Sequence, residues 1–444
     1  MKTISKHYVT IALSLTILIG GGWWFFATIG ERENPSVRLT HDVRSIGREQ
    51  TLGLVIEDID SGLRSILVTI NQDNKAHVLA SYVLPRKGIR TLPLKLSIIP
   101  QTLKLHDGLA TLSIAAVDYS LFKNETLINR PVTIDTTPPQ IFLLTATNNI
   151  NLGGCGAIAY RTSEPTIKSG VMVNNIFSSS YPAGGADKSV LVTYFGLPPT
   201  PVADGLNIRI IAVDAGGNST SLALPYRLKN KKFRSDKMML GDNFLNHKMP
   251  DFQTIYPELQ GKSPLDVFSY VNSTLRLANE ATILDICSKS DPRQLWEGAF
   301  SRMKDAAPMA QFADKRTYFY QNKSVGESVH YGVDLASLAN APVEASNHGI
   351  VKFTGSLGIY GNAILIDHGQ GIFSIYGHLS QIKARLNQHV KKGEIIGNSG
   401  LTGLAGGDHL HFGMIAGGRF VNPVEWWDPH WIQDNVTKKL GNAP

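Results

Sequence analysis

His409-Leu410-His411-Phe412 alternates imidazoles with large apolar side chains, and this pattern constrains the chain more than any other stretch. In an extended strand, residues i and i+2 share a side. Leu410 and Phe412 then face a core, and both imidazoles face a cleft. An earlier piece, His330-Tyr-Gly-Val-Asp334, places a histidine and a carboxylate four residues apart. That even spacing also aligns them in an extended segment. A helix would align them too, but Gly332 and β-branched Val333 disfavour it. Two imidazoles and a carboxylate suit a catalytic zinc shell, with three protein ligands and one position open for water. His378, in Tyr376-Gly-His-Leu-Ser380, adds another histidine. Singly these pieces say little; together, in a glycine-rich β context, they specify a site.

The surrounding sequence predicts many short strands with glycine turns, and so antiparallel sheets. Examples are Gly349-Ile-Val-Lys-Phe353, Asn362-Ala-Ile-Leu-Ile-Asp367 and Ile372-Phe-Ser-Ile-Tyr-Gly-His378. Val390-Lys-Lys-Gly-Glu-Ile-Ile-Gly397 is similar to a biotinyl or lipoyl carrier hairpin, but no displayed Met-Lys-Met or Asp-Lys-Ala lysine stands there. From about Arg316 to Trp431 the chain resembles the lysostaphin-type (LytM-like) zinc peptidases that cut peptidoglycan cross-links. The phrases that carry the likeness are His330-Tyr-Gly-Val-Asp334, Gly358-Ile-Tyr-Gly-Asn362, Ile366-Asp-His-Gly369, Tyr376-Gly-His-Leu-Ser380, Gly400-Leu-Thr-Gly403 and His409-Leu-His-Phe412. The resemblance implies His330, Asp334 and His411 as Zn2+ ligands, with His378 and His409 as an unligated catalytic pair. Some relatives also place a tyrosine near the oxyanion; Tyr318 and Tyr320 lie upstream of His330, and neither is assigned that role. Asn362 and Asp367 are expected to hold turns, His368 to pack at a strand end, and His348 and His389 to fall in turns.

Tyr8 to Ile29 contains no charged residue and is long enough to span a bilayer as a helix. Lys2 and Lys6 precede it, and Glu31, Arg32 and Glu33 follow it. The basic flank predicts an N-in orientation with the bulk outside the cytoplasm. A single-pass anchor with no obvious wall-binding module on the C-terminal side suggests a single-pass inner (cytoplasmic) membrane protein with the catalytic domain in the periplasm. Trp23 to Phe26 suit an interfacial aromatic belt. A cleaved signal peptide is the rival, but the run is long and no Ala-x-Ala site follows. A net charge of +7 over 444 residues, with no dense basic stripe, gives no argument for nucleic acid. Two cysteines, Cys155 and Cys287, make no disulfide framework and read as separate buried thiols.

An internal repeat follows the anchor. Asp107-Gly-Leu109 leads to Ala116-Val-Asp118, and Asp204-Gly-Leu206 leads to Ala212-Val-Asp214. The offset of about 96 residues matches an immunoglobulin-like sandwich. Asp135-Thr-Thr-Pro-Pro139 and Ala212-Val-Asp-Ala-Gly-Gly-Asn218 look like bacterial extracellular Ig-like domains. Both copies read as removable spacers, with cell-envelope protein partners as a further role. Ser263-Pro264 predicts a capped helix carrying Leu265, Phe268, Val271 and Leu275. Asp291-Pro292 predicts a second short helix with Leu295 and Trp296.

The expected chain is therefore mainly β. It has a cytoplasmic tip and transmembrane anchor (1–34), Ig-like domain 1 (36–135) and Ig-like domain 2 (138–228). A linker and helical segment (229–315) lead to an antiparallel β-sheet LytM-like peptidase domain (316–434) and a tail (435–444). The function implied is a membrane-anchored zinc metalloendopeptidase acting on peptidoglycan in cell-wall remodelling. The alternative is a non-catalytic wall-binding protein or amidase activator of the same family.

Overall fold

A computed structural model describes residues 2–28, 32–85, 88–145, 148–184, 189–200 and 205–441. Ile29 and Glu31 of the expected anchor and Asp204 of the repeat lie outside the described residues. The first element is a helix, Lys2–Thr28. Among the described residues, its Tyr8–Phe25 stretch is the one helical span long and apolar enough to cross a membrane.

The rest is mainly β, as the alternating sequence predicts. The chain divides into two compact units. One comprises Met1–Pro139 with Glu164–Ile167 and Val213–Thr220; the other comprises Gln140–Ser163, Lys168–Ala212 and Ser221–Pro444. In the first, a three-stranded sheet (Ser36–Leu39, Gln50–Glu57, Thr91–Ile98) faces a five-stranded one built around Leu63–Gln72 and Gly108–Asp118. Leu52, Leu54, Ile66, Val68, Leu112 and Ile114 close its core. The tight hairpin at Asp73-Asn74 has positive φ at both residues, as a two-residue turn between twisted strands requires.

The second unit begins with another pair of four-stranded sheets. Cys155–Thr162 and Val190–Gly196 pair antiparallel in one of them. Ile158, Tyr160 and Phe195 fill the sandwich's own core. Cys155, Ala157, Val192 and Tyr194 lie on the opposite face and join the core of the C-terminal domain. There Tyr194 meets Trp296 at 6.3 Å and Trp426 at 6.2 Å between ring centroids. Glu425 crosses the same seam, accepting from Asn151 Nδ2 at 2.6 Å and the Cys155 N–H at 2.8 Å. The expectation of two removable spacers therefore fails for the second copy, because its outer face is core rather than surface. Both cysteines are free and buried within this shared core.

The C-terminal domain is an eight-stranded sheet in which every pairing is antiparallel. Its centre is Asn362–Gly369, Ile372–Leu379 and Leu410–Ala416. Beside it lies a smaller sheet where Ser235–Met239 pairs parallel with Lys315–Tyr320. Helices cover one side. Pro264–Tyr270 starts at Ser263, whose side chain accepts from the Asp266 N–H, and continues through a π turn into Arg276–Ile286. The helix Asp242–Ile255 precedes it.

The predicted helix at Asp291–Trp296 is absent. That stretch is irregular and hydrogen-bonds along the central sheet, with Leu295 N–H to the His368 carbonyl and Gln370 N–H to the Asp291 carbonyl. Residues beyond Thr437 are helical to Gly441, and Val436 enters the core.

Candidate active site

His330, Asp334, His378, His409 and His411 line one cleft. The Leu410–Ala416 strand buries Leu410 and Phe412 and presents His411 to the opposite side, as alternation requires. His409 sits just before that strand, bridged to Gly400. His330 and Asp334 meet by a different route from the one predicted. They are not on one extended segment: His330-Tyr331-Gly332 breaks the chain between Lys323–Val329 and Val333–Ala336. Strand Val333–Ala336 then pairs with Leu410–Ala416, setting Asp334 opposite His411. Gly332 permits this bend to pass close against the His411 ring, since a Cβ there would lie 2.6 Å from His411 Nε2.

The three atoms at the centre form a nearly equilateral triangle. His330 Nε2 lies 2.9 Å from Asp334 Oδ1 and 3.0 Å from His411 Nδ1, and His411 Nδ1 lies 3.0 Å from Asp334 Oδ1. His330 Nδ1 donates to the Gln311 carbonyl at 3.0 Å, so the neutral ring would offer the Nε2 lone pair to a cation. Two imidazole nitrogens and a carboxylate oxygen thus converge on one point, an arrangement that suits a cation. His411 Nε2, by contrast, is buried with no hydrogen-bond partner among the described residues.

Burial alone would raise the Asp334 carboxyl. The His330 charge and hydrogen bonds from His330, His409 and His411 outweigh it and hold Asp334 well below the usual carboxylate range. Burial pushes His411 down to about 4. Burial, with repulsion from His409 and His411, holds His378 well below its usual value. His409 moves the other way: burial opposes the shift, but the Asp334 hydrogen bond and charge raise it.

His378 and His409 stand 4.7 Å apart between ring centroids. His378 Nδ1 donates to the Thr402 carbonyl at 2.8 Å, and His409 Nδ1 donates to the Gly407 carbonyl at 2.8 Å. His378 thereby keeps Nε2 free for chemistry, whereas His409 Nε2 faces Asp334 Oδ1 at 3.6 Å. His378 has φ +61°, a left-handed conformation uncommon for histidine and of the kind stored at functional sites. The loop that steadies it is braced from outside the sheet: buried Lys248 donates to the Leu401 carbonyl at 2.7 Å, one residue from Thr402.

Residues 328–423 match the family described as Peptidase family M23. The chain carries a C-terminal M23 peptidase domain. It is 42% identical over 96 residues to DD-carboxypeptidase/endopeptidase Mpg of Neisseria meningitidis serogroup B, covering 22% of each chain. It is 40% identical over 96 residues to peptidoglycan DD-endopeptidase ShyA of Vibrio cholerae, again over 22% of each chain. It is also 33% identical over 107 residues to the murein hydrolase activator NlpD of Salmonella dublin, covering 24% of this chain and 28% of that one. The matched segment spans about a fifth of the length of the first two relatives.

Outside the matched segment, residues that sequence reasoning did not place at the site also line the cleft of the M23 domain. Met238, Met239, Leu240 and Phe244 form an apolar wall, and Arg316 reaches Asp334 Oδ2 at 3.3 Å. Tyr318 lines the cleft and bonds Ser328 Oγ at 3.1 Å, whereas Tyr320 turns away to Asp242. The two-residue step from Arg316 to Tyr318 in a strand was the available signal for this face. Asp367 and His368 do hold structure: Asp367 accepts from Ser290, Asp291 and Gly369, and His368 is buried between the His348 carbonyl and Ser374.

Proposed function

We propose that this chain is a membrane-anchored zinc metalloendopeptidase that hydrolyses peptide cross-links of peptidoglycan. The observation that carries the reading is the His330–Asp334–His411 triangle with two unligated histidines in the same cleft. His330 Nε2, Asp334 Oδ1 and His411 Nδ1 are the atoms that would hold the metal. A zinc ion held there would supply Lewis acidity for the scissile carbonyl and would make a water nucleophilic near neutral pH.

The chain's own residues do the rest. His378, kept neutral by burial, takes a proton from the attacking water at Nε2. His409, whose proton Asp334 favours, gives one to the departing nitrogen. The apolar wall of Met238, Met239 and Phe244 keeps bulk water from the reacting atoms. The Tyr8–Phe25 helix serves as an N-in anchor, with the M23 domain in the periplasm and the sandwiches available to cell-envelope partners. The names of the Neisseria and Vibrio relatives support a peptidoglycan substrate, and the Salmonella relative supplies the rival activator reading. The full set of five site residues favours the enzyme.

Substitution separates ligand from catalyst. His411→Ala is expected to lose both zinc and cleavage of purified sacculi. His409→Ala and His378→Ala are expected to keep zinc and lose about 10²–10⁴-fold in rate. Zinc content by mass spectrometry and released muropeptides are measured on the same preparations. Unchanged cleavage in His411→Ala and His378→Ala alike would reject the metallopeptidase.

A further inference from the structure

Two arginines line the cleft, and they are not equivalent. Arg276 directs Nε to the Asn272 carbonyl and Nη2 to the Asn272 side chain, so those donors are used within its own helical turn. The Arg316 side chain makes one hydrogen bond among the described residues, from Nη2 to Asp334 Oδ2. A guanidinium carries five donors in a fixed fork. Nε and Nη1 of Arg316 therefore remain for a partner in the cleft.

The aim of this side chain follows from its strand. Arg316 and Tyr318 are two apart on Lys315–Tyr320 and share the face that lines the cleft. The Arg316 side chain is 21% exposed, so its charge is partly withdrawn from water. Charge pairing strengthens in such a setting. Arg316 Nη2 lies 3.3 Å from Asp334 Oδ2 and His409 Nε2 lies 3.6 Å from Asp334 Oδ1, so the guanidinium and the His409 ring flank the same carboxylate in the cleft.

The DD-peptidase names of the Neisseria and Vibrio relatives suggest a bond between two D-centres, and the chemistry of such a bond supplies the partner. The carbon that carries the leaving nitrogen also carries a carboxyl group. This holds for a cross-link through the D-centre of a diamino acid and for a C-terminal D-alanine. Hydrolysis breaks the acyl C–N bond and adds the water oxygen to the acyl carbon. One proton of that water reaches the departing nitrogen, and the neighbouring carboxylate is unchanged. A guanidinium beside the proton donor is well placed to meet that carboxylate with two parallel hydrogen bonds.

We propose that Arg316 is a specificity-determining residue that binds the free carboxylate on the leaving side of the scissile bond. This rests on the peptidase reading above. One site then serves both cross-linked peptides and uncross-linked peptides ending in D-alanine.

The test uses the full chain, purified in detergent and loaded with zinc. Its substrates are a cross-linked muropeptide dimer and a stem peptide ending in D-alanyl-D-alanine. Each is prepared with the leaving-side carboxylate free or amidated. The unsubstituted chain is expected to prefer the free form by about 10- to 100-fold in kcat/KM, the scale of a hydrogen bond between charged groups. A preference on either substrate supports the proposal, and the arm that shows it identifies the source of the carboxylate. Arg316→Gln is expected to collapse the ratio toward one. Arg316→Lys should keep part of it, having the charge without the fork. Equal cleavage of free and amidated forms by the unsubstituted chain overturns the proposal. So does an Arg316→Gln chain slowed equally on both forms, the result of a role confined to steadying Asp334. No cleavage of any substrate by the zinc-loaded chain removes the peptidase reading as well, so the two failures are told apart.

Discussion

Strand Gly108–Asp118 of the first sandwich buries every second residue, whereas Cys155–Thr162 of the second buries six in a row. The strand that repeats Gly108–Asp118 in the second sandwich, Ile208–Val213, alternates as well, so the contrast belongs to the other sheet, which carries Cys155–Thr162. The two contrasted strands differ in what lies on their outer faces. Thr111, Ser113 and Ala115 in the first are only partly buried. Cys155 and Ala157 in the second join the core of the C-terminal domain, and Tyr194, across the pair, packs on Trp296 and Trp426. A repeat in sequence is thus a repeat of construction, and the outer face decides whether a copy stands alone or becomes part of a neighbour.

The largest expected consequence is in deletion. Removing 140–228 should leave Trp296 and Trp426 uncovered and give a chain that neither binds zinc nor cuts soluble cross-linked peptides. Removing 36–135 should leave both properties in place, since that sandwich closes its own core. Metal content and cleavage on the two deletion proteins check this; an active 140–228 deletion would break the contrast.

A smaller effect sharpens it. Tyr194→Ala should destabilise the shared core by about 3–5 kcal/mol, and Leu112→Ala the first sandwich by about 2–5 kcal/mol. Only Tyr194→Ala is expected to lower the temperature at which cleavage is lost. Calorimetry and activity after heating, followed together, should assign the two losses to different transitions.

The smallest effect is a pH dependence confined to the seam. Burial raises Glu425 to about 6, against the hydrogen bonds from Asn151 and Cys155. The folded state therefore favours the protonated carboxyl. That contribution is fully present below the ordinary value near 4.5 and is lost as pH rises through about 6. It amounts to about 2 kcal/mol. Glu425→Gln should flatten this part of the stability profile. Denaturant midpoints at several pH values between 4 and 7 test it, and an unchanged slope would remove Glu425 from the account.

Much of the site was legible because strand alternation is rigid: His409 and His411 had to share a cleft once Leu410 and Phe412 were core. His330 and Asp334 were legible as a pair but not in geometry, since a turn at Gly332 and pairing to a distant strand brought them together. The Ser263 cap was legible from local chemistry. The helix Asp242–Ile255 was not, because Pro250 lies inside it and interrupts the helical pattern. Asp291-Pro292 suggested a helix start, yet the same pair opens turns, and tertiary hydrogen bonds to the central sheet decided the matter. The shared core left a readable trace: Cys-Gly-Ala-Ile-Ala-Tyr160 is a continuous run of small and apolar residues, the mark of a strand buried on both faces. Arg316 was hidden because its role depends on a face that only the folded sheet defines.

The two unpaired thiols give this architecture a built-in clock. Cys155 lies on the seam and Cys287 at the end of the helical segment, each sealed from solvent. A thiol reagent can reach them only when the packing around them opens, so the labelling rate at each position counts openings. Comparing the two rates would show whether the second sandwich parts from the catalytic sheet as a unit or whether the whole body loosens at once.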